Sequence, residues 1–264
     1  MSSLPAPQPG AGWAARWRLV LERLSQVPDE AAEAALLCDL SATPAAGSAP
    51  RVLAFVNAHA LNLAARDAAF AEHLAQAELL LRDGSGMATL LRWLGRPAGR
   101  NLNGTDFIPR LLRACDGQTL AVIGTRAPYL ERGAAVIARE FMPHSRVLVA
   151  DGFQSSAHYL ALLREQPPGV VLLAMGMPRQ EALAQVLRAS LPGPCLIVCG
   201  GAIVDFLAGK TARAPAWLRQ RGLEWLWRLG QEPGRLFGRY VIGNPLFLLR
   251  AAWLARRGLS RRAD

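Results

Sequence analysis

Short apolar runs recur along most of this 264-residue chain and alternate with longer segments of helical periodicity. The runs lie at Val52–Val56, Glu78–Leu81, Thr119–Ile123, Arg146–Ala150, Val170–Ala174 and Cys195–Cys199. The helix-like segments lie near residues 13–26, 29–39, 58–76, 86–94, 105–115, 127–141, 155–165 and 178–190. Continuously apolar strands separated by helices are typical of a parallel sheet that is buried on both faces. The pattern therefore predicts an α/β fold with a largely parallel sheet and helices on both faces.

Polar and small residues follow almost every predicted strand. They are Asn57, Asp83-Gly84, Gly124-Thr125, Asp151-Gly152, Gly176-Met177-Pro178 and Gly200-Gly201. In such a sheet, ligands bind outside the carboxyl ends of the strands. Glycine lets backbone N–H groups approach a ligand, and a neighbouring helix N-terminus favours phosphate. The alternative is that strand-to-helix turns need Gly and Asp in any case.

Nucleotide-binding fingerprints are absent from the sequence. The turn after Ile123 reads GTRAPYLERG and has no G-x-G-x-x-G spacing, and no GxxxxGK[ST] occurs. A dehydrogenase or P-loop kinase is therefore disfavoured, whereas a phosphate-bearing ligand is not. The four histidines have no ligand spacing, the cysteines form no CxxC pair, and Cys195 and Cys199 lie in an apolar run that predicts buried thiols. We expect neither a metal site nor a bound cofactor.

The charge of the chain changes abruptly near residue 205. Residues 1–205 contain 18 basic and 17 acidic side chains, whereas residues 206–264 contain 12 basic and 3 acidic ones. We expect three regions: an N-terminal tail with a helical lead-in at 1–50, the α/β domain at 51–205 and a basic helical appendage at 206–264.

The basic appendage also contains four tryptophans, at positions 217, 225, 227 and 253. Basic charge with Trp on helices suits a surface that is anionic outside and apolar beneath, such as a lipid headgroup layer. Phe247, Leu248, Trp253 and the arginine pairs at 256–257 and 261–262 are the candidates for lipid contact, whereas Trp225, Leu229, Leu236 and Tyr240 predict an inward packing face. No run near the end reaches the roughly 20 residues that span a bilayer, and no signal peptide is recognisable. We therefore expect a cytoplasmic protein that is peripheral on the inner face of the plasma membrane.

Several strand-end turns and the tail, read in order, resemble the WecG/TagA/CpsF glycosyltransferases, glycosyltransferase family 26. The corresponding stretches are FVNAHAL (55–61), LLRDGSGM (80–87), NGTDFIPRLL (103–112), AVIGTRAP (121–128), VADGFQ (149–154), LLAMGMPRQEALA (172–184) and the tail with RAP, GLEW, EP and RY. The resemblance implies a Rossmann-like catalytic domain with a basic C-terminal appendage that contacts the membrane.

The resemblance implies an inverting transfer of a hexose, of the N-acetylmannosamine type or related, from a UDP-sugar to a polyprenyl-diphosphate-linked saccharide in cell-surface polysaccharide synthesis. The implied partners are those two substrates and an anionic membrane, with no nucleic acid, and a homo-oligomer is compatible with the sequence. Two alternatives stay open. One is a nucleic-acid-binding protein that uses the basic tail, and the other is a different nucleotide-dependent Rossmann-like enzyme.

Two acidic residues are candidates for the catalytic base that inverting transfer needs. Asp83 matches the Asp-Gly position of the family and follows a buried-type strand, where partial burial would raise its pKa. Its alternative role is to cap a helix that starts near Ser85. Asp106, in NGTDF, is the second acidic candidate. It could contact a substrate hydroxyl, or Thr105 or Asp106 could simply cap the helix that follows.

The remaining candidates would bind substrate. Asn57 matches a family position and could contact sugar hydroxyls, orient Asp83 or simply end a strand in a turn. Gln180 is expected to contact the donor and Glu181 to stabilise the start of its helix. The other candidates are Gly84, Asn103, Gly124, Asp151, Gly176 and the tail arginines Arg213, Arg228 and Arg235.

The sequence departs from the family pattern at two positions. The family usually has Thr where this chain has Phe55, and often has Arg where it has Asn101. If that Arg neutralises the diphosphate, Arg100 or a tail arginine must replace it.

Overall fold

The computed structural model describes residues 12–42, 45, 47–215, 217–218, 221 and 223–260, without the side chains of Glu224, Arg235 and residues 258–260. The predictions for residues 1–11 and 261–262 lie outside this part. The strands are β1 Arg51–Val56, β2 Leu79–Arg82, β3 Leu120–Gly124, β4 Val147–Ala150, β5 Val170–Ala174 and β6 Leu196–Cys199. The helices of the α/β body are α1 Trp13–Glu22, α2 Glu30–Ser41, α3 Ala58–Ala64, α4 Ala68–Ala75, α5 Ser85–Trp93, α6 Gly104–Ala114, α7 Tyr129–Glu140, α8 Ser156–Glu165, α9 Arg179–Ser190 and α10 Ile203–Leu207. The C-terminal helices are α11 Glu224–Gln231, α12 Pro233–Phe237, a π-helical turn Gly238–Ile242 and α13 Gly243–Ser260.

The described strands form one sheet in the order β2-β1-β6-β5-β3-β4. Every neighbouring pair is parallel, with register partners such as Phe55 and Leu81 between β1 and β2. The chain runs outward from β1 to β2, crosses to β3 and β4 at the opposite edge, and fills the centre with β5 and β6. The predicted Rossmann-like α/β fold is confirmed.

Helices cover both faces of the sheet and create two apolar cores. Alternate side chains of each strand point to opposite faces, so Val52, Ala54 and Val56 of β1 enter one core while Leu53 and Phe55 enter the other. The first core is closed by α1, α3, α4, α5, α8, α9 and α13, and the second by α2, α6, α7 and α10. The predicted thiols Cys195 and Cys199 are buried in the first core.

The helix predicted at 13–26 ends at Glu22, and two other helix predictions differ from the structure because of a capping residue. The segment predicted as one helix at 58–76 is two helices, because Asp67 starts a new one by accepting a hydrogen bond from the N–H of Phe70 at 3.0 Å. The helix predicted at 105–115 begins at Gly104, since Asn103 caps it. A carboxylate or amide that accepts an N–H at this position competes with the continuing helix and fixes where it starts.

The C-terminal helix packs on the body of the protein. Phe247, Ala251 and Leu254 of α13 are part of the first core, and the ring of Phe247 lies 5.4 Å from that of Trp17. The prediction that Phe247 faces lipid is therefore wrong, because its side of α13 closes the core over α3 and α5. Leu248 and Trp253 are exposed as expected.

The predicted inward packing face of the appendage is confirmed for two of its residues. Leu236 and Tyr240 are buried, and the ring of Trp225 lies 5.9 Å from that of Tyr240. Within the described residues, no helix combines the length and apolar character needed to cross a bilayer. The division into three regions stays a prediction.

Phe247→Ala should lower the free energy of unfolding by about 3–5 kcal/mol, because it opens a cavity between α13, α1 and α5. Leu249→Ala on the same helix is the matched control: Leu249 is 70% exposed, and its loss should cost under about 0.5 kcal/mol. Urea unfolding of the two variants measures the difference. Equal stabilities would show that α13 does not belong to the cooperative core.

Candidate active site

Asp83 and Asn57 form a hydrogen-bonded pair at the carboxyl ends of β2 and β1. Asn57 donates from Nδ2 to Oδ2 of Asp83 at 3.1 Å, while its Oδ1 caps α3 by accepting the N–H of Ala60 at 3.0 Å. The backbone N–H of Asp83 donates to the carbonyl of Val56 at 2.8 Å. Asn57 therefore both ends its strand and orients Asp83. Helix α5 is preceded by Gly84 without a side-chain cap, so the capping alternative for Asp83 is wrong.

Opposing influences act on the carboxyl group of Asp83. Burial raises its pKa above the usual range, because an anion loses solvation in a low dielectric. The hydrogen bond from Asn57 and the positive charges of Arg239, Arg228 and Arg82 oppose that rise. Burial wins, and the result is a carboxylate of increased basicity surrounded by positive charge.

The arginines around Asp83 come from two parts of the chain. Arg82 precedes it in β2 and is held by hydrogen bonds to the carbonyls of Gly84 and Gly99, both at 3.0 Å. Arg228 on α11 and Arg239 in the π-helical turn belong to the basic tail. The tail thus brings two guanidinium groups close to Asp83, at the carboxyl end of β2. The side chain of Arg235 lies outside the described part.

Asp106 and Arg213 join the tail to the body. Arg213 donates from Nη2 to Oδ1 of Asp106 in an ion pair. Asn103 caps α6 by accepting the N–H of Asp106 at 3.0 Å, and its Nδ2 donates to Oδ2 of Asp106 at 2.8 Å. The helix is therefore capped by Asn103 and not by Asp106. A catalytic role of Asp106 and substrate contacts of Asn103 and Arg213 stay predictions.

The structure shows what contacts the two residues that depart from the family pattern, Asn101 and Phe55. Asn101 accepts the N–H of Gly84 at 2.7 Å and so braces the turn after Asp83. Arg100 forms an ion pair with the buried Glu33, so its charge is already paired within the protein. Phe55 is buried, with its ring 6.3 Å from that of Phe107 under α6. Of the two replacements that the sequence offered, the tail arginines are the ones that face Asp83.

Glycine is required at two of the predicted site positions for different structural reasons. A Cβ on Gly124 would lie 2.2 Å from the carbonyl oxygen of Ala174, so the close approach of β3 and β5 requires glycine there. Gly176 has a φ of +78° and nothing within 4 Å of its Cβ position. Its conformation requires glycine while open space lies beside it. Ligand contacts of both residues stay predictions.

An exposed aromatic ring lies near Asp151, which follows the carboxyl end of β4, at the opposite edge of the sheet from β2. Asp151 holds its turn by accepting the N–H of Phe153 at 2.9 Å. Phe153 is 50% exposed, and the guanidinium carbons of Arg126 and Arg179 lie 3.8 and 5.2 Å from its ring centroid. Arg179 also donates to the carbonyl of Gly152 at 3.0 Å. An exposed aromatic ring with two arginines beside it can contribute to a surface that binds a base and phosphate.

Gln180 is buried, and its side chain is engaged within the protein. Its Oε1 accepts the N–H groups of Gly176 at 3.2 Å and Gly201 at 2.9 Å, and its Nε2 donates to Glu181 at 2.8 Å. It joins the turns after β5 and β6. Direct contact with a donor stays a prediction.

His59 lies in the first turn of α3, close to Asn57 in sequence. Burial, with the nearby charges of Arg239 and Arg66, lowers its pKa to about 4. The imidazole is therefore neutral at physiological pH. In the described part of the chain, no three His, Cys, Asp or Glu side chains gather in a way that would hold a metal ion.

The sequence reasoning missed Arg82, Phe153, Arg126 and Arg179 as site residues. A usable signal existed, because all four lie within the motif stretches, next to the strand-end residues that were chosen. Arg239 was also missed, because the tail contains many arginines and its sequence does not single this one out. Only the packing of the tail decides which of its arginines face the site.

Asn57→Ala should raise the pKa of Asp83 further, because it removes a hydrogen bond that stabilises the carboxylate. Asn103→Ala is the matched control: it also removes an Asn cap, typically worth about 1 kcal/mol, but has no contact with Asp83. Carboxyl ¹³C NMR titration measures both. The same Asp83 titration in both variants would contradict the assigned role of Asn57.

Comparison with known proteins gives a consistent result. The profile described as "Glycosyl transferase WecG/TagA/CpsF family" matches residues 25–262. Two relatives carry the name N-acetylglucosaminyldiphosphoundecaprenol N-acetyl-beta-D-mannosaminyltransferase. The one from Bacillus spizizenii strain W23 is 26% identical over 61% of this chain and 64% of its own length, and the one from Bacillus subtilis strain 168 is 25% identical over 70% and 73%. With a family match over most of its length, this chain belongs to the WecG/TagA/CpsF family of glycosyl transferases.

Proposed function

We propose that this protein is an inverting glycosyltransferase that moves an N-acetylmannosamine-type hexose from a UDP-sugar to a polyprenyl-diphosphate-linked saccharide in cell-surface polysaccharide synthesis. The observation that carries the proposal is the half-buried Asp83, held by Asn57 and faced by Arg228 and Arg239 of the tail. The names of the two Bacillus relatives support a lipid-diphosphate-linked acceptor and N-acetylmannosamine as the transferred sugar. The family match favours a transferase over the nucleic-acid-binding alternative.

In this mechanism Asp83 is the general base. The acceptor hydroxyl gives its proton to the carboxylate as its oxygen attacks the anomeric carbon of the donor. The bond from that carbon to the UDP oxygen breaks on the opposite side, so the configuration inverts and UDP leaves with the electron pair. Burial strengthens the base, and the adjacent arginines favour its ionised form.

The tail arginines have a second task in the proposal. As UDP departs, negative charge grows on the diphosphate, and positioned guanidinium groups stabilise that charge most effectively away from bulk water. Arg228 and Arg239 are both only partly exposed. Their charges reach Asp83 in the absence of substrate, so a diphosphate beside Asp83 would lie within reach of the same groups.

In this proposal the donor nucleotide binds near the turns that follow β4 and β5. Phe153 with Arg126 and Arg179 offers a surface for the base and phosphate, and the Gly176 turn leaves open space beside it. Two strands, β1 and β6, separate β2 from β5, which places the Asp83 and Gly176 turns on the order of 14 Å apart. An extended nucleotide diphosphate sugar can bridge the span between these two turns, and Arg179 links the Gly176 turn to the Phe153 surface by its hydrogen bond to the carbonyl of Gly152.

Peripheral attachment to the cytoplasmic face of the plasma membrane completes the proposal. Leu248, Leu249 and Trp253 are exposed on α13, and the guanidinium of Arg257 lies 4.2 Å from the ring centroid of Trp253. Basic residues near an anionic surface contribute about 1 kcal/mol each. Such a surface would bring the site to its lipid-linked acceptor.

Asp83→Asn should lower kcat at least about a hundredfold, the usual scale for loss of a general base, with little change in folding. The assay is UDP release from a panel of UDP-sugars with a lipid-diphosphate acceptor, together with the anomeric configuration of the product by NMR. Near-normal turnover in the variant would remove Asp83 from the mechanism. A wild-type protein that transfers no sugar from the panel would refute the proposed reaction.

Arg228→Ala and Arg239→Ala should each lower kcat/KM by about tenfold to a hundredfold, since each removes a charge-assisted contact to the leaving group. Both should also raise the pKa of Asp83, whose charged form they stabilise. Arg139→Ala, on an exposed arginine of α7, serves as the control. Activity equal to that of the control in both tail variants would separate the tail from the chemistry.

A further inference from the structure

Glu181 is a buried carboxyl group that the proposed mechanism does not use. It is 1% exposed, and its Oε1 accepts the hydrogen bond from Nε2 of Gln180 at 2.8 Å. Its other oxygen, Oε2, is buried without a hydrogen-bond partner. A buried carboxylate normally has partners for both oxygens, so an orphaned oxygen at this place requires an explanation.

The partner of Glu181 is the residue that ties two strand-end turns together. Oε1 of Gln180 accepts N–H groups from Gly176, after β5, and Gly201, after β6. Both glycines have positive φ, +78° and +62°, so their N–H groups converge on one oxygen. The amide of Gln180 must present that oxygen to them and its nitrogen to the other side. The hydrogen bond to Glu181 fixes this orientation.

We propose that Glu181 is a positioning residue that, as a neutral carboxylic acid, holds Gln180 in the orientation that fixes the Gly176 and Gly201 turns. The inference rests on the proposed function in one respect, namely that these turns border the donor. A neutral carboxyl group costs far less to bury than an anion. Because only one of the two carboxyl oxygens has a hydrogen-bond partner, an anion at this place would be poorly solvated.

The electrostatic surroundings agree with a neutral acid. Burial raises the pKa of Glu181 to about 7. Burial raises the pKa of the neighbouring Cys199 thiol, on β6, well above the usual range, and the Glu181 carboxyl raises it further, so the thiol is neutral and places no negative charge beside Glu181. Above pH about 7 Glu181 would therefore ionise in place, and the buried anion would loosen the junction of the two turns.

The first test does not depend on activity. Amide exchange of Gly176 and Gly201 is measured by NMR from pH 6 to pH 8.5 and corrected for the intrinsic pH dependence of exchange. In the wild type, protection should fall about tenfold as Glu181 ionises, the scale of one lost hydrogen bond. Glu181→Gln, an isosteric neutral side chain, should keep the protection at every pH, whereas Glu181→Ala should lack it throughout. Glu165→Gln, on an exposed residue of α8, should behave as wild type.

The second test is the pH profile of turnover. Wild-type activity should fall above pH about 7, and Glu181→Gln should remove this alkaline decline while leaving the acid limb, which Asp83 sets, in place. Glu181→Ala should raise the KM for the donor more than that for the acceptor. A merely structural residue would not shift one limb of the profile.

The outcomes separate this inference from the proposed function. Equal amide protection in wild type and Glu181→Gln across the pH range overturns the role of Glu181, whatever the activity. If the exchange results hold but no UDP-sugar is turned over, the proposed function fails and the positioning role stands. If Glu181→Ala does not fold, the wild-type and Glu181→Gln series still decide the question.

Discussion

The parallel direction of the strands is the constraint on which the rest of this structure depends. Every described strand has its carboxyl end on the same side of the sheet, so the turns after β1, β2, β3, β4, β5 and β6 share one side of the molecule. Asp83, Phe153 and Gly176 therefore lie on this side although they are far apart in sequence. The side that holds the amino ends of the strands serves a different purpose. There, Asp116 and His144 form a hydrogen bond of 2.7 Å between the turns that enter β3 and β4, which fastens one turn to the other.

A balance of desolvation and charge governs the candidate base. A carboxylate with only arginines beside it would have a low pKa and be a poor base, and one with only apolar neighbours would be protonated. Asp83 lies between these limits, because burial acts against Asn57, Arg82, Arg228 and Arg239. Two of these arginines come from the tail, so the basicity of Asp83 depends on how the tail is placed.

Much of the fold could be predicted from the sequence. All six strands lie within one residue of their predicted positions, since continuous apolar runs leave little ambiguity. The Asp83–Asn57 pair was likewise accessible, because both residues follow neighbouring strands. The exact course of the tail was not. Phe247 and Leu249 are both apolar and only two residues apart on one helix, yet one is buried and the other exposed, and only tertiary packing decides which.

The role of Gln180 shows a second limit of sequence reasoning. A glutamine at the start of a helix beside a glycine turn has the chemistry of a ligand contact. The structure instead uses its amide to join two turns, and this requires knowing that β5 and β6 are neighbours. Sequence order alone gives neither the adjacency nor the burial of the side chain.

The anchoring of the tail at both ends has a practical consequence. Arg213 forms an ion pair with Asp106 at one end, and α13 packs into the core at the other. The segment that bears Arg228 and Arg239 is therefore attached to the body of the protein at both ends. Cutting the chain after α10 would remove core side chains together with this segment. A shortened protein would thus change in folding as well as in membrane binding or catalysis, and point substitutions within the segment separate these effects better.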